Sequence, residues 1–192
     1  TLEINENPMD ICGVQVGFFK TSHDALGSGG YTFTLADDTK ISVCTDLGVV
    51  TDEVRNALAG SRLIMLESNH DLKMLKNGPY PPELKMRIMS EKGHLSNISA
   101  AAELKYFLEN GTNRFVLAHL SQHNNLPKLA YGAATASLTD LGAKADEDYI
   151  LKSPVRRIHK VKTASNIKET YSDEELELMR DNCTEIRDLA MI

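Results

Sequence analysis

Four short clusters of acid–base and metal-binding side chains each follow a predicted strand. They are Ser22-His23-Asp24, Thr45-Asp46, the run from Glu67 to Asp71, and the run from His119 to His123. A sheet that presents ligands at its strand ends holds them on a rigid frame, as a metal site requires. Imidazole together with carboxylate suits zinc, manganese or iron. A single histidine at a strand end is more often structural, so spacing alone leaves a metal site and a structural role both open.

Several other chemistries lack their motifs in this sequence. The sequence lacks the zinc-protease pattern His-Glu-x-x-His, the Cys-x-x-Cys pair, the phosphate-binding loop, the dinucleotide glycine fingerprint and the Gly-x-Ser-x-Gly nucleophile elbow. Cys12, Cys44 and Cys183 are odd in number, scattered and set in apolar runs, so they read as core residues and not as a disulfide framework. With no secretory signal, these thiols predict a reducing, cytoplasmic location.

Length and charge limit the class further. The 192 residues are 42% hydrophobic and 25% charged, which fits one globular domain. The 27 acidic residues outnumber the 21 basic residues, giving a net charge of −6. A general nucleic-acid coat is therefore excluded, although a local basic patch can still bind phosphate. No apolar run approaches 18 residues, so no membrane partner and no membrane-spanning helix are expected.

Short strands alternate with amphipathic helices over the first two-thirds of the chain, which predicts an α/β fold. The predicted strands are Val14 to Phe19, Tyr31 to Leu35, Lys40 to Cys44, Arg62 to Leu66 and Arg114 to Ala118. The predicted helices are Asp52 to Ala59, Pro82 to Met89, one capped by Ser96 or Asn97 and running to Asn110, and one from Asn125 or Pro127 to Gly142. The polar stretch from Thr1 to Asp10 reads as a linker or as chain interior.

The last third of the chain has a different character. After a predicted strand at Asp148 to Leu151, residues 152–171 form a basic linker that is either a solvated segment or a phosphate-binding strip. Residues 172–192 predict an acidic amphipathic tail helix, because Ser172 and Glu175 make a capping box ahead of apolar residues at three- and four-residue spacing.

The clusters, in their order, resemble the metallo-β-lactamase superfamily. They are most similar to the YycJ/WalJ-like branch of its metallohydrolases. The segments that carry this similarity read, in order, Ser-His-Asp, Thr-Asp-Leu-Gly, Leu-Glu-Ser-Asn-His-Asp, Gly-His-Leu-Ser-Asn and Leu-Ala-His-Leu-Ser-Gln-His-Asn-Asn. The resemblance covers roughly residues 11 to 151. It implies that residues 1–151 are a partial metallo-β-lactamase domain.

The resemblance also implies a metal site. His23, Asp46 and His119 would be ligands of two divalent ions (Zn, Mn or Fe), with Asp46 bridging them. A carboxylate suits that position because its two oxygens can reach two cations at once.

Further residues would act on the substrate. The resemblance places Glu67 and His70 near the leaving group, with His70 as general acid. His94, Ser96 and Asn97 lie at a predicted helix start, where free N–H groups favour phosphate. His94 is equally well explained as a residue that stabilises the turn.

One family signature is missing from the chain. The pattern His-x-His-x-Asp-His, which supplies most ligands of the first ion, occurs nowhere in the 192 residues. The sequence therefore predicts the C-terminal part of an αββα sandwich plus a tail helix. Its partner would be the missing N-terminal half of the same fold. Alone, the chain is expected to be inactive and to associate, for instance as a homo-oligomer, because one sheet would be left uncovered.

These features favour a metal-dependent hydrolase, specifically a phosphodiesterase or DNA exonuclease that uses a dinuclear metal-bound hydroxide on nucleic acid or another phosphodiester. Two alternatives stay open. One is a hydrolase of the same superfamily that cleaves small thioesters or lactones. The other is a degenerate, non-catalytic metallo-fold that serves as a binding module.

Overall fold

A computed structural model of the chain describes residues 8–139. Several predictions lie outside the described residues: the strand at 148–151, the basic linker at 152–171, the acidic tail helix at 172–192, and Cys183. They stay predictions.

A single six-stranded sheet organises the described part of the chain. Its strands follow one another in sequence order: β1 Met9–Ile11, β2 Val14–Lys20, β3 Gly29–Thr34, β4 Lys40–Cys44, β5 Leu63–Glu67 and β6 Arg114–Ala118. Strands β1 to β4 pair antiparallel, whereas β4, β5 and β6 pair parallel. The parallel pairs require crossovers, and these are helical, as the α/β prediction implies.

Five helices are described: α1 Asp52–Leu58, α2 Leu72–Asn77, α3 Pro82–Ile88, α4 Asn97–Glu109 and α5 Pro127–Thr139. Local chemistry explains where they begin. The Thr51 hydroxyl accepts from the Val54 N–H at the start of α1, and the Ser96 hydroxyl accepts from the Ser99 N–H at the start of α4. Asp71 caps α2 in the same way, and a proline opens α3.

One face of the sheet, called here the covered face, holds the hydrophobic core. Its strand residues Cys44, Ile64, Leu66 and Phe115 are fully buried. They pack against α1, α4 and α5 through side chains at helical spacing, namely Val54, Leu58, Ala100, Leu104, Phe107, Ala134 and Leu138.

The opposite face, called here the open face, is also apolar. Register and alternation along the strands place on it Val14, Val16, Phe18, Tyr31, Phe33, Ile41, Val43, Leu63, Met65 and Val116. All of these except Val16 are partly exposed. Within residues 8–139, no helix packs on this face as α1, α4 and α5 pack on the other.

The α/β prediction is confirmed, and the strands and helices predicted within residues 8–139 are present with bounds shifted by at most two residues. The predicted end of the last helix at Gly142 lies outside the described residues. Three local expectations were wrong or incomplete. Cys12, which was expected in the core, is exposed. Met9 and Asp10, read as linker, form β1, because Cys12 and Gly13 make a tight turn that pairs this segment with β2. Helix α2 was not predicted, because its six residues are too short to show a hydrophobic period.

No helix in the described part of the chain is both long enough and apolar enough to span a bilayer.

Candidate metal centre

The sheet topology brings four polar clusters to one edge. Strands β4, β5 and β6 are parallel, so the residues after their carboxyl ends share that edge. Strand β2 runs in the same direction as β4, because both are antiparallel to β3. His23, Asp46, Glu67 and His119 therefore lie at the same edge, each at or after the end of a strand.

The backbone at two of these positions is unusual. Asp46 has φ 58° and His119 has φ 53°, both in the left-handed region. Non-glycine residues adopt this conformation infrequently, and holding them there costs about 1–3 kcal/mol each. The surrounding structure fixes His119 by a hydrogen bond from the Asn69 side-chain amide to the His119 carbonyl, at 2.9 Å. The two residues turn out of their strands in the same way, each at the sheet edge.

Glu67 is the hub of the site and is 0% exposed. Its Oε1 accepts from Nδ1 of His119 at 2.5 Å and from Nδ1 of His94 at 2.9 Å. Its Oε2 accepts from the backbone N–H groups of Leu47 and Leu95, at 3.1 and 3.3 Å. Both carboxylate oxygens are thus engaged by donors from three loops, which ties those loops together.

The carboxylate of Asp46 lies beside three imidazoles. Its Oδ1 is 3.6 Å from Nδ1 of His119 and 3.9 Å from Nδ1 of His94. It is also 3.9 Å from Nε2 of His23. Asp46, Glu67, His94 and His119 each offer one ligand-type atom within 4.8 Å of the others. Two carboxylates and two imidazoles at this spacing fit a divalent ion.

The charges of the cluster are coupled. Burial would raise the pKa of Glu67, but hydrogen bonds from His119 and His94 and from the Leu47 N–H outweigh it and lower that pKa to about 2. The hydrogen bond to Glu67 in turn raises the pKa of His119, against the opposing effect of burial. Glu67 therefore stays a carboxylate at neutral pH and favours the protonated form of His119.

A cavity of about 510 Å³ opens over the cluster. It is lined by His23, His94 and His119, by residues of α3 and of the loop after β6, and by Asn69, Tyr80 and Gly93. Ligand cavities commonly have volumes of this order. The histidines of the cluster therefore face a space large enough for a small substrate.

Not every predicted site residue belongs to this cavity. His70 is 1% exposed, does not line the cavity, and has no hydrogen-bond partner for either ring nitrogen among the described residues. Burial lowers the pKa of His70. Its backbone carbonyl accepts from the Asn97 N–H at 2.8 Å and so anchors the start of α4.

The side chains of Ser96 and Asn97 also do not line the cavity. Ser96 caps α4, as described above. Asn97 is buried and exchanges hydrogen bonds with Ser68 and Asn125. Of the three predicted phosphate-binding residues, only His94 lies on the cavity wall.

Sequence reasoning missed the ion pair at the rim of the site. The Arg87 guanidinium donates to both carboxylate oxygens of Asp24, which lies next to His23. This contact lowers the pKa of Asp24 to about 2. The residues are 63 positions apart, so no local pattern could reveal the pair.

The fold and the cluster define a metal-binding α/β protein. No protein-family model matches the chain. The chain is 35% identical over 136 residues to exodeoxyribonuclease YycJ of Bacillus anthracis, a match that covers 71% of this chain and 51% of that protein. It is 36% identical over 135 residues to exodeoxyribonuclease WalJ of Streptococcus pneumoniae, covering 69% and 50%. The chain belongs to the metallo-β-lactamase superfamily, in the branch that these relatives represent.

The chain spans about half the length of the curated relatives it matches. Two solved structures show weaker likenesses. One is a diphosphatase of the PhnP family, with a TM-score of 0.46 and 12% identity over 66% of this chain and 40% of that one. The other is Zn²⁺-bound PqqB of Methylobacterium extorquens, with a TM-score of 0.48 and 16% identity over 76% and 47%. Structural similarity at this level supports no conclusion beyond the one drawn from the sequence relatives.

Proposed function

We propose that the protein containing this chain is a metal-dependent phosphodiesterase, and more narrowly a DNA exonuclease. The observation that carries the proposal is the convergence of Asp46, Glu67, His94 and His119. Two members of this group, His94 and His119, line the cavity. The names of the relatives, both exodeoxyribonucleases, support the choice of substrate.

The donor set fits divalent ions such as Zn, Mn or Fe, and we propose that two are bound. Asp46, His119 and His23 would be ligands contributed by this chain. Glu67 would act differently, because both its oxygens already accept hydrogen bonds. It would hold His94 and His119 through Nδ1 and leave Nε2 of each ring for a metal or a proton.

Three ligands are too few for two ions, which commonly need about four contacts each. An N-terminal half of the fold would supply the rest. The open face supports this part of the proposal, because it is a broad apolar surface of the kind that a second sheet covers. Cys12 and Cys44 are free thiols, which supports a cytoplasmic location.

When bound, the ions would supply Lewis acidity to the phosphoryl oxygens and lower the pKa of water. The chain's own residues would position the ions and move a proton. Two histidines are candidates for the general acid. His70 is the predicted one, and the place of His94 on the cavity wall, held by Glu67, supports it as the second.

The first test uses a protein extended by the N-terminal half. Hydrolysis of bis-p-nitrophenyl phosphate and of DNA is compared with hydrolysis of thioesters and lactones, and bound metal is measured. We expect Asp46→Ala to remove metal and phosphodiesterase activity together, whereas Asp52→Ala, an exposed acid on α1, changes neither. Full activity on thioesters or lactones with none on phosphodiesters would overturn the proposal, as would a metal-free, inactive wild-type protein.

A second test separates the two histidines. Replacing the general acid by alanine should lower turnover by about 10²- to 10⁴-fold, while the bound metal is retained. His70→Ala and His94→Ala are measured side by side, with substrates that carry good and poor leaving groups. The true acid shows a defect that shrinks with the better leaving group. Equal metal loss in a variant would show that its histidine is a ligand instead.

A further inference from the structure

Part of the cavity lining is formed by residues other than the metal cluster. They include Tyr80, Leu84 and Ile88, and His123 from the loop after β6. The rings of Tyr80 and His123 meet edge to face, with centroids 6.1 Å apart and planes at 70°. This part of the lining, called here the aromatic end, is therefore aromatic and aliphatic, whereas His23, His94 and His119 supply imidazoles elsewhere in the same lining.

The loop that carries Tyr80 is held rigidly. It runs Gly78-Pro79-Tyr80-Pro81, and the prolines fix the backbone on either side of the ring. The Lys85 ammonium donates to the carbonyls of Lys76 and Gly78, each at 2.8 Å. The ring is thus ordered before any ligand arrives, which reduces the entropy lost on binding.

A close contact also fixes His123 against this loop. A Cβ at Gly78 would lie 2.4 Å from Oδ1 of Asn124, the neighbour of His123. The absence of a side chain at Gly78 thus leaves room for the Asn124 side chain. The aromatic pair is a product of this contact, since each ring comes from one of the two loops.

Helix α3 links the aromatic end to the segment that carries His23. Leu84 and Ile88 are four residues apart and share one side of the helix, on the cavity wall. Arg87 of the same helix lines the cavity and binds Asp24, next to His23. The ion pair therefore sets the aromatic end at a fixed distance from the histidine cluster.

From this geometry we infer that the aromatic end binds the base of the nucleotide adjoining the scissile phosphodiester. The inference rests on the proposed nuclease function and names its substrate contact. A nucleobase is flat and apolar on its faces, so it suits stacking on Tyr80 between Leu84 and Ile88. A base that enters this space is unpaired, so the strand end is frayed or single-stranded when it is cut.

The test compares two single-stranded oligonucleotides on the extended protein. One has a natural terminal nucleotide, and the other has a base-free tetrahydrofuran residue in its place. Stacking of one base on an aromatic side chain contributes about 1–3 kcal/mol, which corresponds to a preference of about 5- to 150-fold in kcat/KM. We expect wild-type protein to prefer the natural end by that factor, mainly through KM. Tyr80→Ala should bring the ratio close to one, and Tyr80→Phe should restore it.

Tyr106→Ala is the matched control, because Tyr106 is an exposed tyrosine of α4 that does not line the cavity. It should keep the wild-type ratio. If Tyr80→Ala does not fold, His123→Ala carries the same comparison from the opposite loop. If the folded variants keep the wild-type ratio of kcat/KM between the two oligonucleotides, the inference is wrong, whereas the proposed nuclease function still stands. No hydrolysis of either oligonucleotide by wild-type protein overturns the proposed function as well.

Discussion

The two faces of the sheet are both apolar but differ in what lies on them. On the covered face, Ile64, Leu66 and Phe115 are fully buried under three helices. On the open face, the neighbouring residues of the same strands, Met65 and Val116, are partly exposed. Two adjacent residues of one strand thus have different surroundings, although both are hydrophobic.

Within residues 8–139, the covered face is therefore a packed core, whereas the open face has no layer of helices packed on it. The candidate site stands at the strand ends, where both faces meet. Its hub, Glu67, is the last residue of β5 and is fully buried. The described residues therefore support the site from the covered face, and under the proposed function a second layer would contact it from the open face.

The largest effect should come from a charge placed on the open face. Val43 lies at the centre of that face, between Tyr31 on β3 and Met65 on β5. In a protein extended by the N-terminal half, Val43→Asp would leave an unpaired charge buried between two sheets, at a cost of about 3–5 kcal/mol. In the 192-residue chain the same change should lower stability by less than about 1 kcal/mol.

Urea unfolding of both proteins measures this difference, with Val43→Thr as a milder polar control. Equal destabilisation in the short and extended proteins would show that the open face is not covered by the added half.

A pair of phenylalanine truncations compares the two faces directly. Phe115→Ala should lower the free energy of unfolding by about 3–5 kcal/mol in the 192-residue chain, because it leaves a cavity under the helices. Phe33→Ala on the open face should cost only about 1 kcal/mol there, because its ring is already partly exposed. Unfolding midpoints in urea check the ranking, and comparable losses would contradict it.

Thiol labelling probes the same contrast without mutation. Burial, together with Glu67 and Asp46, raises the pKa of Cys44 on the covered face to about 12, so about 10⁻⁴ of it is thiolate at pH 8. Cys12 lies exposed in the turn between β1 and β2. Peptide mass spectrometry after alkylation should find Cys12 modified in the native chain and Cys44 only in urea. Rapid native labelling of Cys44 would mean that the helices do not seal the covered face.

The smallest effect concerns how the helices of the covered face are held to each other. Arg55 of α1 donates to both carboxylate oxygens of Glu103 of α4, at 2.7 and 3.0 Å. Because Arg55 is about one-third exposed, a double-mutant cycle between Arg55→Ala and Glu103→Ala should give about 0.5–1 kcal/mol. A coupling free energy near zero would show that this ion pair does not stabilise the packing of α1 against α4.

The sequence predicted the frame well where local signals were strong. Ser96 and Gly111 marked the start and end of α4 because a hydroxyl cap and a residue free to adopt positive φ act within one turn of the chain. Strands β4, β5 and β6 were evident from short apolar runs that each precede polar residues. Their shared edge follows from parallel pairing, so the approach of Asp46 to His119 could be anticipated.

The particular contacts inside the site could not be predicted. Nothing local shows that one oxygen of Glu67 serves both His94 and His119, which lie 27 and 52 residues further along the chain. His70 carries the same side chain as His94 and follows a strand as the sequence suggested, yet it is buried. Exposure depends on packing between distant segments, which residue type and spacing do not encode.

The left-handed backbone at Asp46 and His119 restricts which side chains can replace these two proposed ligands. Among residues with a side chain, asparagine, aspartate and histidine are those most often found in that conformation, and branched side chains are strongly disfavoured. Replacing either residue by glutamate or cysteine would therefore be disfavoured by backbone strain, whichever ion is bound. A change of metal preference in this lineage should come through other positions, such as His23, whose backbone is under no such constraint.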